Sequence, residues 1–369
     1  MTLPQAPPKP TPTQAPPKPT PPQGPPHPTP TQGPPHPTPT PQGPVADRDA
    51  NIVPSTFVCE SRTHYFQIPP NPKGTLVFLH GCCRTAQGFW PHSAKHPECY
   101  GFPEDVSHTK QALAKGYAIL VPTPRDLQVL GWSFSAGDPA PLVVIIETFL
   151  KAHNLQSKPV ILGGASAGGG LGVGLWAYFK DKRTPCPWKW AGIISEVSTH
   201  GVVPSKDPSF PPTVYIVMER DTDSQAQAKE HLATLTASHV KCAMHVSPVR
   251  VIYPAFFSDR VPGVSPALST QIVNALISMN ALDKDSKLKV SPKDLPFRAA
   301  LTKKVPAVGG LVIKTSAIMQ ALLFAQGQHE HIGDYTTAAL TFIESGGNFE
   351  ALVQKLQVSK PTSFHVCTL

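Results

Sequence analysis

The sequence predicts an α/β protein: a doubly wound, mostly parallel sheet, with a cap-like insertion late in the chain and a disordered proline-rich N-terminal tail. Three observations carry that expectation. Apolar runs rich in β formers alternate with stretches of helical periodicity. The runs are continuously apolar, as strands covered on both faces are. His80-Gly81, Ser166 and the stretch 219–223 each follow such a run. They therefore fall at the carboxyl ends of strands, where parallel sheets bind ligands.

The first 44 residues stand apart. A nine-residue unit, Q-[AG]-P-P-[KH]-P-T-P-[TP], repeats over 5–13, 14–22, 23–31 and 32–40. Proline fixes φ and removes donors, and no apolar residue larger than alanine interrupts the repeats. This tail is expected to be disordered and polyproline II-like. P-x-x-P recurs in it, which suits an SH3- or WW-type partner; a solubilising spacer is the plainer reading. The remainder, 45–369, is long enough for one sizeable core.

A short strand is expected over 63–68, closed by Pro69-Pro70, with turn chemistry at Asn71-Pro72-Lys73-Gly74. Residues 75–79 and 117–121 read as buried strands, with a helix over 104–115 stopped by Gly116. Residues 126–138 read as a loop. A helix is expected over 139–154, where Leu142, Val143, Ile146, Phe149 and Leu150 share one side. The strand 159–162 runs into a glycine cluster, and 165–180 is the helix behind it. Strands at 190–195, 213–218 and 243–251 and a helix at 224–239 complete the layers. Residues 253–325 contain an amphipathic helix (Leu268, Ile272, Val273, Leu276, Ile277) and a basic, loop-rich stretch at 283–304. They are expected to form a cap or side lobe, and 334–345 the closing helix.

The net charge of +8 is spread along the chain. No basic stripe with interleaved aromatics occurs, so no nucleic-acid partner is expected. No charged-then-apolar leader is visible, and the longest apolar runs are far too short to span a bilayer. Seven cysteines at irregular spacing fit reduced thiols and a cytoplasmic setting.

Residues 164–168 read G-A-S-A-G, a G-x-S-x-G pattern between a strand and a helix. A serine at so tight a turn sits in a sparsely populated backbone conformation. Its neighbours two residues away must lack a Cβ, or strand and helix collide. The turn lifts the Ser166 hydroxyl above the sheet edge. It also sets the Ala167 N–H at a helix start, where donors are unpaired and the field favours negative charge. A serine hydroxyl becomes a nucleophile when a histidine takes its proton and a carboxylate fixes that histidine's tautomer. Asp221 and Asp223 follow the strand 213–218, and His329 and His331 stand in Q-H-E-H. Asp223 suits the N-cap of the next helix, which leaves Asp221 as the preferred acid. Glu196 is a more distant candidate. Gly327 supplies a turn before His329, and His329 and His331 both stand as candidate bases.

With L-H-G-C at 79–82, G-A-S-A-G at 164–168, E-R-D-T-D at 219–223 and Q-H-E-H at 328–331, the sequence resembles the α/β-hydrolase family. Nucleophile, acid and histidine follow one another in that family's order. The L-H-G-C run looks like the oxyanion segment of feruloyl-esterase and polyester-depolymerase-type members. The resemblance implies a serine esterase acting on a small acyl or ester substrate without a cofactor. Its triad would be Ser166, Asp221 and His329, with Asp223 and His331 as alternates. It implies oxyanion donors at the N–H groups of Cys82 and Ala167, and a structural role for His80. One departure from the family pattern is the long segment 253–325 between the last strand and His329.

Three other readings compete. A metal site would use His92, His96 and Cys99 beside Cys82 and Cys83, with His329-Glu330-His331 adding ligands. However, His96-Pro97 breaks the helix, and no C-x-x-C or H-E-x-x-H pair occurs. Residues 172–177 fit G-x-G-x-x-A, yet they follow the turn, where a helix should already run. A catalytically inactive hydrolase fold working through its proline-rich tail is the third. Leu130-Gly131-Trp132 and Phe256-Phe257 hint at an apolar acyl site.

Overall fold

The computed structural model describes residues 51–126, 131–183, 185–198, 204 and 206–357; the tail expected over 1–44 lies outside them. Its strands are β1 (Ser55–Cys59), β2 (Arg62–Gln67), β3 (Gly74–Leu79), β4 (Tyr117–Val121), β5 (Pro159–Ala165), β6 (Lys189–Glu196), β7 (Thr213–Met218) and β8 (Cys242–Ser247). They form one sheet in the order β1-β2-β4-β3-β5-β6-β7-β8. Every pairing from β4 to β8 is parallel, while β2 pairs antiparallel with both β1 and β4.

Alternate residues of the central strands enter different cores. Leu76 and Phe78, Ile119 and Val121, Val214 and Ile216 face one side; Val77 and Leu79, Ala118 and Leu120, Tyr215 and Val217 face the other. Both sets are apolar, so both faces must be covered by helices. One face takes α2 (Pro139–Ala152), α3 (Ala167–Lys182) and α4 (Thr222–Ala237). The other takes α1 (Pro103–Ala114), α5 (Phe256–Arg260), α6 (Pro266–Ser278), α7 (Leu295–Lys304), α8 (Ala317–Gln326), α9 (Thr336–Ser345) and α10 (Phe349–Gln357). Residues 253–325 join this second core, where Ile272, Leu276 and Leu301 share a cluster with Phe78 and Ile216. Phe256 and Phe257 are sealed in that core rather than lining an acyl site.

The sequence carries no sign of β1. Its hairpin with β2 turns at Glu60 and Ser61, both at positive φ (50° and 58°). Asn-Gly usually announces such a turn, and neither residue is present here. β8 also stops at Ser247, short of the expected 251.

β5 passes into α3 through the single residue Ser166, at φ 52° and ψ −120°. A Cβ on Gly168 would stand 1.9 Å from the Leu79 carbonyl oxygen, and one on Gly164 would stand 2.6 Å from the Gly168 carbonyl carbon. Backbone meets backbone at both points, so nothing flexible can yield. Gly172, one turn further along α3, has room: its Cβ would meet only the Leu162 Cβ, at 3.9 Å. Gly168→Ala is therefore expected to destabilise the protein by about 3 kcal/mol or more. Gly172→Ala is expected to be neutral or to stabilise by up to ~1 kcal/mol. Urea midpoints of the two variants check the contrast.

Candidate active site

Ser166 is tied on both sides. Its N–H donates to the Glu196 carbonyl (2.8 Å), and its carbonyl accepts from the Gly170 N–H (3.0 Å). Its hydroxyl oxygen stands 3.0 Å from His329 Nε2, while His329 Nδ1 stands 2.6 Å from Asp221 Oδ2. One line of hydrogen bonds thus joins the end of β5, the end of β7 and the loop after α8. A proton on Nδ1 is donated to the carboxylate, which leaves Nε2 as an acceptor for the serine hydroxyl. The carboxylate end is sheltered and the ring is open: the Asp221 side chain is 8% exposed and the His329 side chain 37%.

Asp221 does a second task. Its Oδ1 accepts from the Ser224 N–H (3.2 Å) as the N-cap of α4. The cap expected of Asp223 falls to Asp221 because α4 begins at Thr222. Asp223 sits exposed in the first helical turn. Burial works to raise the Asp221 carboxyl. The hydrogen bonds from His329 and Ser224 outweigh burial and hold it below its ordinary value.

His329 arrives from a helix, not from a strand. α8 ends at Gln326, and Gly327 reverses the chain in the left-handed region (φ 69°). The Gly327 carbonyl accepts from the Arg220 N–H (2.9 Å), and Arg220 Nη1 donates to the Gln326 carbonyl (3.2 Å). The histidine loop is therefore sewn to the end of β7, beside Asp221.

The residues after His329 are held one by one. Glu330 pairs with Arg84. His331 Nδ1 lies 2.6 Å from Asp105 Oδ1, and its Nε2 accepts the Gly81 N–H at 3.0 Å. The Ile332 N–H donates to Glu196 Oε2 and the Gly333 N–H to Glu104 Oε2, both at 2.9 Å. Asp334 pairs with Arg260 (2.8 Å) and Arg250 (2.9 Å). His331 is thus buried with both ring nitrogens occupied, away from the Ser166 hydroxyl. Glu196, the distant candidate acid, is likewise spent on the loop. Sequence reasoning missed Asp105, Glu104, Arg84 and Arg260. Glu104 and Asp105 lie in the first turn of α1, where acidic residues are common and announce no partner.

Burial raises the Asp105 carboxyl, but the His331 imidazole and Arg84 outweigh it and keep it below its ordinary value. Burial also lowers His331, more than Asp105 raises it. His80 is fully buried, pushed down to about 4 by burial, and its Nδ1–H donates to the Gly81 carbonyl (2.9 Å). Cys82 is exposed next to it, its sulfur 3.5 Å from that of Cys83. Ala167 is the first residue of α3 and is buried.

The competing motifs dissolve into other roles. His329, Glu330 and His331 each take a different partner, and His92 Nδ1 bonds the Pro97 carbonyl (3.1 Å). Among the described residues no three His, Cys, Asp or Glu side chains are arranged to hold a metal. Residues 172–177 lie inside α3, with Gly172 and Gly174 buried in it. Trp132 is buried beside His80 (ring centroids 6.0 Å apart); Leu130 lies outside the described residues. A polar cleft of about 420 Å³ opens next to His329, between Arg220, Asp223 and Lys293. No described helix is long and apolar enough to cross a membrane.

A mostly parallel doubly wound sheet, a strained serine between β5 and α3, and the chain order Ser166, Asp221, His329 together make this an α/β-hydrolase fold. No protein-family profile matches the sequence, and no curated protein matches it. Among solved structures, a dienelactone hydrolase from Anabaena variabilis is similar over 54% of this chain and 87% of its own, at 18% identity and a TM-score of 0.38. A carboxyl esterase from the mycorrhizal fungus Tuber melanosporum is similar over 55% and 78%, at 14% identity and 0.38. An esterase/lipase from an uncultured bacterium is similar over 58% and 80%, at 14% identity and 0.38.

The Asp105 carboxyl is lowered in the fold, so it stabilises the protein above its unfolded value and loses that effect as pH falls through the native one. Asp105→Asn is expected to cost about 1–3 kcal/mol at pH 7. The gap from wild type should hold down to about pH 5 and shrink below ~3.9. Urea midpoints at several pH values measure it.

Proposed function

We propose that the protein is a serine hydrolase that cleaves an ester or related acyl substrate through a covalent acyl-enzyme. The observation that carries this reading is the continuous hydrogen-bonded line Ser166–His329–Asp221, with its hydroxyl end on the outer side of a strained turn. Ser166 Oγ attacks the substrate carbonyl as its proton passes to His329 Nε2. Asp221 keeps the ring in the tautomer that can accept, and stabilises the imidazolium that forms. The carbonyl oxygen becomes an oxyanion, bound by the N–H groups of Cys82 and Ala167, each contributing roughly 10²–10³ in rate. Collapse of the intermediate breaks the bond to the leaving group, which takes the proton from His329. A water, deprotonated by the same ring, then releases the acid and restores Ser166.

His331 is not the base in this scheme, since its Nε2 already accepts a buried amide proton. Asp223 is not the acid, since His329 points to Asp221.

Ser166→Ala is expected to abolish p-nitrophenyl ester cleavage and fluorophosphonate labelling without unfolding the protein. His329→Ala should lower kcat by ~10⁴ or more, and Asp221→Asn by a comparable factor through the wrong tautomer. Full turnover in Ser166→Ala would overturn the proposal.

A further inference from the structure

The base loop and the oxyanion loop share one buried hydrogen bond. The Gly81 N–H, immediately before Cys82, donates to His331 Nε2 at 3.0 Å. A buried amide needs an acceptor, and a carbonyl is the ordinary one. An imidazole nitrogen serves only when the ring is neutral and its other nitrogen carries the proton. Asp105, 2.6 Å from His331 Nδ1 and itself fully buried, fixes that arrangement. The same logic acts in Asp221–His329, but here it is aimed at a backbone amide rather than at a hydroxyl.

The rest of Gly81 is equally held. Its carbonyl accepts from His80 Nδ1 (2.9 Å) and from the Arg84 N–H (3.3 Å). A Cβ on Gly81 would lie 3.1 Å from His331 Nε2 and 3.5 Å from the Ser166 Cβ. The Gly81 backbone therefore lies close to both the His331 ring and Ser166. Any shift of the ring moves the oxyanion loop relative to Ser166.

We propose that His331 is a positioning residue: held by Asp105, it anchors the Gly81 amide and so fixes the oxyanion donors relative to Ser166 and to His329 on its own loop. The inference rests on the serine-hydrolase reading. A misplacement of ~1 Å in such a site costs on the order of 10²-fold in rate. That loss falls on the transition state, where the oxyanion exists, and not on substrate binding.

The test compares His331→Leu, which removes the acceptor, with His331→Gln, whose side-chain amide oxygen reaches about as far as Nε2. Full-length protein is assayed with p-nitrophenyl acetate and with a trifluoromethyl ketone as transition-state analogue. In His331→Leu, kcat should fall by ~10²-fold with KM changed by less than about 3-fold. Affinity for the ketone should fall in parallel with kcat. His331→Gln should recover activity to within ~10-fold of wild type. A folded His331→Leu variant with wild-type kcat would overturn the inference, as would equal losses in the Leu and Gln variants. If His331→Leu does not fold, Asp105→Asn decides by the same split, because an amide donor at Nδ1 drives the ring proton onto Nε2, against Gly81. Turnover that survives Ser166→Ala sinks the hydrolase reading itself. Ser166-dependent turnover that is indifferent to His331 and Asp105 sinks only the positioning role.

Discussion

Main chain packed directly on main chain at the β5–α3 junction is the constraint from which the site follows. Gly168 lies against the Leu79 carbonyl, and Gly164 against Gly168. Parallel register places Leu79 opposite Gly164 and Ala165 opposite Glu196. The chain segments leaving β3, β5 and β6 therefore depart at one level, side by side. The Ser166 conformation costs on the order of 1–3 kcal/mol. It persists because the contacts around it allow no relaxed alternative.

A second set of charges lies beneath the site. Glu104, Asp105, Arg84, Arg250 and Arg260 converge on the stretch 330–334. The Arg250 and Arg260 guanidiniums both stand over the ring of Phe324, in the last turn of α8, at 5.0 and 4.5 Å from its centroid. Burying so many ions is a weak route to stability, since desolvation consumes most of the Coulomb gain. Its effect here is geometric. Each successive residue of the loop has a directional partner, so the loop has one conformation.

The sheet was legible because its strands are continuous apolar runs bounded by proline and glycine; β3, β4 and β7 lie close to their expected bounds. β1 was hidden by a positive-φ turn without glycine or asparagine. The meeting of Ser166, Asp221 and His329 was approached by chain order and local motif. The capping argument used to rank the aspartates put the cap on the wrong residue, because one carboxylate serves both His329 and Ser224. His331 and Asp105 were opaque as a pair. They lie 226 positions apart, and neither bears a local pattern that announces the other.

Because the imidazole that meets Ser166 hangs from the end of α8, it lies 163 positions downstream of that serine. Between the two, α5 to α8 must first lay down the second core. During synthesis, the strands that carry the serine and the aspartate emerge long before the ring that completes the line. A nascent chain halted before α8 would carry the strands and Ser166, yet not the ring that meets it. The hydrogen-bonded line from Ser166 to Asp221 would thus close only once α8 and the loop after it have folded.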